Sequence, residues 1–271
     1  MFGNECVSVL VRTRDIELHF RELLKRLSHQ TSSLSELVIV DNYSSEKSLR
    51  VMTELLAKIK ESFFNGKIKI KLVPISNQEF THSYSTNAGV LAAENDVICI
   101  TNGHSLPSSN EWLEAGTAHF NDSKVAGVGG YTVSHTDGTI WEKMGYDLLW
   151  KKRIEVSKAY ARDDSFSTVN CLIRKSLWKQ YPFDEKLPNL ISGALEFGGE
   201  DYDWAVEMKA RGYAIVMEPK LVMFHSHGES LSSLFPKYLA WRQIRREIRE
   251  LKRPRTSYTR LNGEKPSYCV I

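Results

Sequence analysis

The chain has 271 residues and a net charge of +3, with 42% hydrophobic and 25% charged residues. These values are typical of a soluble globular protein with one large domain or two small ones, and no apolar run approaches the length of a membrane span. The four cysteines form no Cys-x-x-Cys pair, and the first strand-like run begins at Cys6, which leaves no room for a signal peptide. We therefore expect reduced thiols and a cytoplasmic location.

Short apolar runs alternate with amphipathic helical patterns through the first hundred residues. The predicted strands are residues 7–11, 37–40, 68–72 and 97–100. The predicted helices between them are residues 20–27, 52–63 and 87–94. Strands that are apolar runs separated by helices indicate an α/β fold with a mostly parallel sheet covered on both faces.

Polar clusters follow three of the predicted strands, at residues 12–15, 41–45 and 101–105. Ligands of parallel α/β sheets bind beyond the carboxyl ends of the strands, so these clusters predict one shared site at that edge. The chain has neither a Gly-x-Gly-x-x-Gly segment nor a Gly-Lys-Ser/Thr loop. A dinucleotide fold and a P-loop site are therefore not supported.

The second half of the chain is less regular. Later strands are predicted at residues 125–133, 169–173, 215–217 and 221–224. Residues 134–168 are polar, aromatic and irregular, which is typical of a loop region that carries specificity.

The stretch from residue 197 to residue 211 combines two glycines with three acids at the start of a helical pattern. Gly198 and Gly199 allow backbone angles closed to other residues, and Glu200, Asp201 and Asp203 follow within four positions. Carboxylates in the first turn cap a helix and are favoured by its dipole. Three acids exceed what a cap needs, and a carboxylate at the mouth of a cavity can act as a general base.

Residues 242–255 hold seven basic and two acidic residues, a net charge of +5 that leaves −2 for the rest of the chain. An apolar stripe at helical spacing runs through this segment at Trp241, Ile244, Ile248 and Leu251. Three alternatives remain open: the stripe packs on the domain, the helix lies on an anionic membrane surface, or it pairs with a partner subunit. Nothing outside this segment suggests a nucleic-acid partner.

The order of these motifs resembles the family 2 glycosyltransferases of the GT-A fold over residues 6–240. The Glu200-Asp201 pair matches the family's catalytic motif, and His225-Ser226-His227, followed by Ser230-Leu231, looks like the closing segment of the bacterial rhamnosyltransferase-like members. The earlier pieces that carry the resemblance are residues 7–13, with Arg12 where the family usually has proline, residues 37–42 with their acidic end, Phe80-Thr81-His82 and Asn87-Ala88-Gly89.

The family's Asp-x-Asp motif, which holds a divalent cation and the sugar nucleotide, aligns with Asn102-Gly103-His104. Both carboxylates are absent. Asn102 can still hydrogen-bond a ribose, and His104 can still ligate a cation, with His225 or His227 as a further ligand. Imidazole suits Mn²⁺ or Zn²⁺ better than Mg²⁺, so we expect a divalent cation, Mn²⁺ before Mg²⁺. A neutral ligand binds a dication less strongly than a carboxylate, which leaves the metal requirement open.

The resemblance implies inverting transfer of a sugar from a UDP-, dTDP- or GDP-linked donor to a hydroxyl of a bacterial surface glycan or its lipid-linked precursor. One carboxylate takes the proton of the attacking hydroxyl, and we assign this role to Asp201, with Glu200 as the second candidate. The local sequence also allows Asp41 to be a turn-forming residue before Ser44. The residues expected to contact the nucleotide-sugar donor are Thr13, Arg12, Arg14, Asp41, Asn42, Asn87 and Asn102.

The expected architecture is a GT-A type α/β fold, with a Rossmann-like, mostly parallel central sheet and a C-terminal basic helical extension. We expect a glycosyltransferase domain at residues 1–230, with a nucleotide-binding half at 1–110 and an acceptor-binding half at 111–230. A basic amphipathic helix and tail follow at 231–271, and with a lipid-linked acceptor they suggest peripheral binding to the inner face of the membrane. The alternative is a catalytically degenerate member that binds a nucleotide or glycan, which the missing carboxylates favour.

Overall fold

The computed structural model describes residues 6–32, 34–146 and 166–271. Within these ranges the strands are β1 (Val7–Thr13), β2 (Leu34–Asn42), β3 (Lys69–Ile75), β4 (Val97–Asn102), β5 (Leu106–Pro107), β6 (Val125–Val133), β7 (Asn170–Arg174), β8 (Ala214–Phe224) and β9 (Cys269–Val270). They form one sheet in the order β5-β8-β6-β7-β4-β1-β2-β3-β9.

Helices connect and flank these strands. They are α1 (Phe20–Ser28), α2 (Glu46–Phe64), α3 (His82–Ala92), α4 (Trp112–Thr117), α5 (Lys175–Trp178), α6 (Leu187–Leu190), α7 (Ala194–Phe197), α8 (Glu200–Ala210) and α9 (Leu231–Glu250). Residues 140–146 are also helical. None of the helices in the described ranges is both long and apolar enough to cross a membrane.

Alternate side chains of the central strands bury themselves against helices on opposite faces of the sheet. In β1, Val9 and Val11 belong to one apolar cluster, together with side chains of α1, α2 and α4. Leu10 belongs to the other cluster, with side chains of α3, α5 and α8. Both faces of the sheet are therefore covered, which confirms the predicted α/β architecture.

The register of the sheet places the ends of its central strands at one edge. Strands β3, β2, β1 and β4 are parallel neighbours, and β7 runs antiparallel to both β4 and β6. The polar residues that follow β1, β2 and β4 consequently lie together at the carboxyl edge. Predicted strands 215–217 and 221–224 are one continuous strand, β8.

The C-terminal segment packs on the rest of the protein. Ile244 and Ile248 of α9 are buried in a cluster with residues of α6, α7 and α8. Trp241 remains 42% exposed. The last strand, β9, is the outermost strand of the sheet and runs antiparallel to β3, where Cys269 pairs with Leu72. The buried part of the apolar stripe therefore packs on the domain, as in the first of the three alternatives, while another face of α9 stays exposed.

Candidate active site

The polar ends of β1, β2 and β4 lie side by side, as the sequence predicts. In the parallel register Arg12 pairs with Asn102, and Thr13 pairs with Asp41. The N–H of Gly103 donates to the carbonyl of Arg12 at 2.9 Å, which holds the turn after β4 against the end of β1. Three strands thus contribute side chains to one edge.

Arg12 connects this edge to the predicted catalytic acids. Its guanidinium donates to Thr86 Oγ1 at 2.9 Å and to Asn102 Oδ1 at 3.2 Å. It also donates to Thr168 Oγ1 at 3.0 Å, and it lies 3.7 Å from Glu200 Oε1. The side chain is 9% exposed, and a charge this buried requires such partners. We predicted that Arg12 contacts the nucleotide-sugar donor. Both terminal nitrogens of its guanidinium instead form hydrogen bonds to side chains of the protein.

The two predicted acids begin α8 and have different surroundings. Glu200 is 3% exposed, and burial together with the neighbouring Asp201 raises its pKa. Asp201 is half-buried: Oδ2 accepts from the N–H of Thr168 at 3.2 Å, and Oδ1 accepts from the N–H of Tyr202 at 2.7 Å. Asp201 is thus the less buried of the two acids, and Thr168, which bonds both Asp201 and Arg12, holds it near Arg12.

The glycines before α8 adopt left-handed backbone angles, with φ of +76° at Gly198 and +119° at Gly199. A Cβ on Gly199 would lie 2.8 Å from Cγ2 of Ile244, so it is α9 that approaches the backbone here. A Cβ on Gly198 would lie 3.0 Å from Glu200 Oε2 and 3.8 Å from the ring of His82. The glycines therefore let α9 and His82 close around the start of α8.

A row of aromatic side chains leads from His82 towards the end of β2. The rings of His82 and Phe80 meet edge to face at 5.6 Å between centroids, and those of Phe80 and Tyr43 at 5.1 Å. The guanidinium of Arg14 lies 4.4 Å from the centre of the Tyr43 ring. Aromatic faces beside a cation are surfaces on which a nucleobase can stack.

Asp41 and Asn42 lie at the carboxyl end of β2, next to this row. Asp41 is buried and accepts from the N–H of Ser44 at 3.1 Å, which is the turn that the alternative interpretation predicts. Burial raises the pKa of Asp41, and the bonds from Ser44 oppose that effect. Asn42 Oδ1 accepts from Ser85 Oγ at 2.6 Å. Asp41 therefore shapes the turn that carries Tyr43.

Asn87 is fully buried and lies inside the protein. Its amide donates to the carbonyl of Phe183 at 2.8 Å and to Glu185 Oε1 at 2.9 Å, and its Oδ1 accepts from Trp178 Nε1 at 3.1 Å. These bonds hold α3 to residues 178–185. We predicted that Asn87 contacts the nucleotide-sugar donor, but its side-chain amide forms its hydrogen bonds with residues of the protein core.

Three histidines converge beside the end of β4. We call His104, His225 and His227 the histidine cluster; each offers a ligand atom, and these atoms lie within 4.8 Å of one another. The ring of His104 is 4.7 Å from that of His225 and 4.9 Å from that of His227. Burial, and then the neighbouring histidines, lower the pKa of His225, which favours the neutral ring that binds metals.

The surroundings of His104 are those of a metal ligand. Its Nδ1 contacts the carboxylate of Glu17, while its Nε2 is buried without a hydrogen-bond partner in the described part of the chain. Ser105 Oγ lies 2.9 Å from His225 Nδ1. Histidines that bind a metal usually hydrogen-bond a protein oxygen through their other ring nitrogen. The histidine cluster, with its neutral nitrogen donors, therefore fits a divalent transition-metal ion.

Three residues of this edge had no role in the sequence-based prediction. Thr168 joins Arg12 to both acids, Glu17 contacts His104 and accepts from Thr13 Oγ1 at 2.8 Å, and Tyr43 carries the aromatic row. Glu17 could have been found from the sequence, because it is an acid only four residues after Thr13, a predicted site residue. Thr168 had none, because its partners are distant in sequence.

The C-terminal tail supports α8 through buried ion pairs. Arg253 donates to Asp203 Oδ1 at 2.8 Å, and Arg255 donates to Asp184 Oδ2 at 2.6 Å and also contacts Asp203. Asp203, the third acid of the motif, is fully buried. Asp203 therefore anchors the tail instead of facing the carboxyl edge.

The family model for glycosyltransferase-like family 2 matches residues 4–246 of the chain. The chain belongs to this family. The match covers both halves of the sheet, including the Glu200-Asp201 pair and the histidine cluster. A search of curated protein sequences gave no significant match.

Solved glycosyltransferase structures share the fold. A mannosyltransferase from Pyrobaculum calidifontis, PcManGT, solved with GDP-Man and Mn²⁺, superposes with a TM-score of 0.66 at 15% identity over 92% of this chain and 65% of its own. S. aureus TarS 1-349, solved with UDP-GlcNAc, gives 0.56 at 18% identity over 91% of this chain and 68% of its own. GalNAc-T7, solved with UDP, GalNAc and Mn²⁺, gives 0.59 at 14% identity over 82% and 43%. At these identities the likeness establishes the GT-A type fold, and the chain spans less than two thirds of the mannosyltransferase.

Proposed function

We propose that this chain is an inverting hexosyl- or deoxyhexosyltransferase that moves one sugar from a nucleotide-sugar donor to a hydroxyl of a glycan or lipid-linked acceptor. The observation that supports this function best is the bonded path from Asn102 through Arg12 and Thr168 to Asp201. It connects the less buried of the two acids to the strand ends where ligands of α/β sheets bind.

Asp201 acts as the general base. The acceptor oxygen attacks the anomeric carbon and passes its proton to the Asp201 carboxylate, while the bond from that carbon to the diphosphate oxygen breaks and the diphosphate leaves with the electron pair. One carboxylate is sufficient for an inverting displacement. The backbone N–H groups of Thr168 and Tyr202 fix both oxygens of this carboxylate, so it is aimed before the acceptor arrives.

Glu200 positions its neighbour and the floor of the site. Its buried carboxylate faces Arg12, and Thr168 Oγ1 lies 3.4 Å away. A group so enclosed has little access to an acceptor. We therefore assign Glu200 the role of holding Arg12, and hence Asn102, in place.

The donor binds along the ends of β1, β2 and β4. The nucleobase stacks near Tyr43 and Arg14, and Thr13, Asp41 and Asn42 line the adjacent strand ends. Asn102 contacts the ribose. PcManGT and TarS were solved with GDP- and UDP-linked sugars, which supports a donor of the UDP, dTDP or GDP class here. Residues 1–110 would thus bind the nucleotide, and residues 111–230 the acceptor.

The histidine cluster would hold a divalent cation, Mn²⁺ before Mg²⁺ because its donors are imidazoles. Such an ion, when bound, neutralises charge on the departing diphosphate. The chain's own contribution is to orient His104 through Glu17 and to keep the ring of His225 neutral by burying it.

An anionic membrane surface is the proposed site of the acceptor. Arg242, Arg246 and Lys252 are exposed on or next to α9, and exposed Phe235 and Leu239 lie on the same helix. Replacing the three bases with glutamate should abolish sedimentation with phosphatidylserine vesicles, since each base contributes about 1 kcal/mol near such a surface. Undiminished sedimentation would remove this part of the proposal and the inner-membrane location with it.

The test of the transferase is turnover in Asp201→Asn. We expect donor turnover to fall roughly 10²–10⁴-fold with unchanged nucleotide affinity, because the base is lost while the fold is kept. Glu196→Gln, at an exposed acid of α7, is the matched control and should retain activity. Unchanged turnover in Asp201→Asn would exclude Asp201 as the base.

The replacement of the family's carboxylates by Asn102 and His104 favours one competing function, a nucleotide-binding member without catalysis. Turnover measured together with nucleotide binding separates the two functions. A non-catalytic member would bind nucleotide diphosphates, as measured by thermal shift with and without Mn²⁺, and would turn over no donor in either the wild-type chain or the variant.

A further inference from the structure

A second group of metal-ligating side chains lies next to the histidine cluster. His19, His135 and Asp137 each offer one ligand atom, and these atoms lie within 4.8 Å of one another. His19 immediately precedes α1, and the other two lie in the loop after β6. We propose that these three residues form a second divalent-metal site, a two-histidine, one-carboxylate site that is separate from the histidine cluster.

The hydrogen bond of His135 leaves one ring nitrogen available to a metal. Its Nε2 lies 2.9 Å from the carbonyl oxygen of His104. A carbonyl only accepts, so Nε2 carries the proton, and in the neutral ring the lone pair is then on Nδ1. Ligating histidines usually donate their other N–H to a carboxylate or a backbone carbonyl, and His135 makes that bond.

The spacing of His19 and Asp137 accommodates an ion. His19 Nε2 and Asp137 Oδ2 are 4.0 Å apart, which is too long for a hydrogen bond. Two ligand atoms of a tetrahedral zinc ion with bonds of about 2.0–2.2 Å lie about 3.3–3.6 Å apart, so a small movement of the exposed Asp137 side chain brings both atoms within bonding distance of one ion. The rings of His19 and His135 stack at an angle of 18° with 4.2 Å between centroids, so the third ligand is close, and a rotation of the His19 side chain turns its lone pair towards an ion held by His135 and Asp137.

The donor set indicates which ions bind. Two imidazoles and one carboxylate suit Zn²⁺ and other first-row transition ions, whereas Mg²⁺ and Ca²⁺ prefer oxygen ligands. The side chain of Asp137 is 62% exposed, so an ion can enter from solvent and keep water as a further ligand.

The proposed ion would steady the neighbouring histidine cluster. The N–H of His135 donates to Ser226 Oγ at 2.8 Å, and Ser226 lies between two members of that cluster. The N–H of His225 donates to the carbonyl of Val133 at 2.8 Å. An ion that fixes His135 therefore also fixes the backbone carbonyl of His104 and the side chain of Ser226.

Metal stoichiometry tests the second site without reference to transferase activity. The full chain, stripped with a chelator, is dialysed against Zn²⁺, and the bound metal per chain is measured. We expect two ions in the wild-type chain and one in either His19→Gln or Asp137→Asn. We expect one in His227→Gln, which removes a ligand of the histidine cluster, and none in His19→Gln combined with His227→Gln.

His29→Gln is the matched control, because His29 is an exposed histidine at the other end of α1, and it should keep two ions. Circular dichroism of the metal-free variants checks that each is folded. A single ion in the wild-type chain that persists in both His19→Gln and Asp137→Asn would overturn the proposal, as would two ions that persist in both. Loss of zinc from His29→Gln would also overturn it, since binding would then be non-specific.

Discussion

The two sides of the candidate active site differ in how their polar groups are satisfied. On the carboxylate side, Glu200 and Asp201 are held by Arg12, Thr168 and backbone N–H groups. On the histidine side, His104 is oriented by Glu17, yet its Nε2 is buried without a partner among the described residues. A buried polar atom without a bond is costly, and it is tolerated where a ligand completes it. The carboxylate side also keeps one such atom, Nε of Arg12, but there the charged groups are paired within the protein. On the histidine side the unpartnered nitrogen belongs to a group of converging ligand atoms that fits a divalent ion.

The largest effect on stability should come from replacing Arg12, the positively charged residue of the carboxylate side. Arg12→Met leaves the buried Glu200 carboxylate unpaired and removes the bonds to Asn102 and Thr168, so we expect the free energy of unfolding to fall by about 3–5 kcal/mol. Chemical denaturation measures this. Arg14→Met, at an exposed arginine beside Tyr43, should cost about 0.5–1 kcal/mol. Equal losses in the two variants would contradict a carboxylate side held together by Arg12.

The histidine side should respond in metal affinity and not in stability. Glu17→Gln weakens the contact between residue 17 and His104 Nδ1, so we expect about 10–100-fold weaker Mn²⁺ binding by calorimetry, with an unchanged melting temperature in chelator. Glu22→Gln, at a surface acid of α1 paired with Arg26, is the control. If both variants bound Mn²⁺ as the wild-type chain does, Glu17 would have no part in the site.

The smallest effect concerns the pH dependence of stability on the carboxylate side. Burial and Asp201 raise the pKa of Glu200, so above pH 4.5 the folded state binds more protons than the unfolded state. The contribution of Glu200 to stability is therefore greatest below pH 4.5 and is lost as pH rises through the folded pKa. In Glu200→Gln this slope should disappear, as denaturant midpoints across pH 4 to 8 would reveal. Parallel curves for wild-type and variant chains would show that Glu200 ionises normally.

Features set by local pattern were predictable from the sequence. Continuous apolar runs placed the central strands, and the two glycines before Glu200 placed the start of α8, because period and backbone freedom are local properties. The polar clusters after β1, β2 and β4 do share an edge, since the carboxyl ends of parallel strands must.

Features set by long-range packing were not predictable from the sequence. The contact of Thr168 with Arg12 spans 156 positions, and that of Glu17 with His104 spans 87. The glycine at 199 admits the close approach of α9, a helix that begins more than thirty residues later in the chain. The pairing of His19 with His135 and the addition of β9 to the sheet likewise depend on chain segments that no local pattern connects.

The most direct test is a crystal structure with an intact, non-transferable nucleotide-sugar analogue and Mn²⁺. We predict the nucleobase near Tyr43, the diphosphate beside the histidine cluster, and the anomeric carbon facing the Asp201 carboxylate. A donor bound at another edge of the sheet, or one whose sugar points away from Asp201, would contradict the proposal that both sides serve a single transfer.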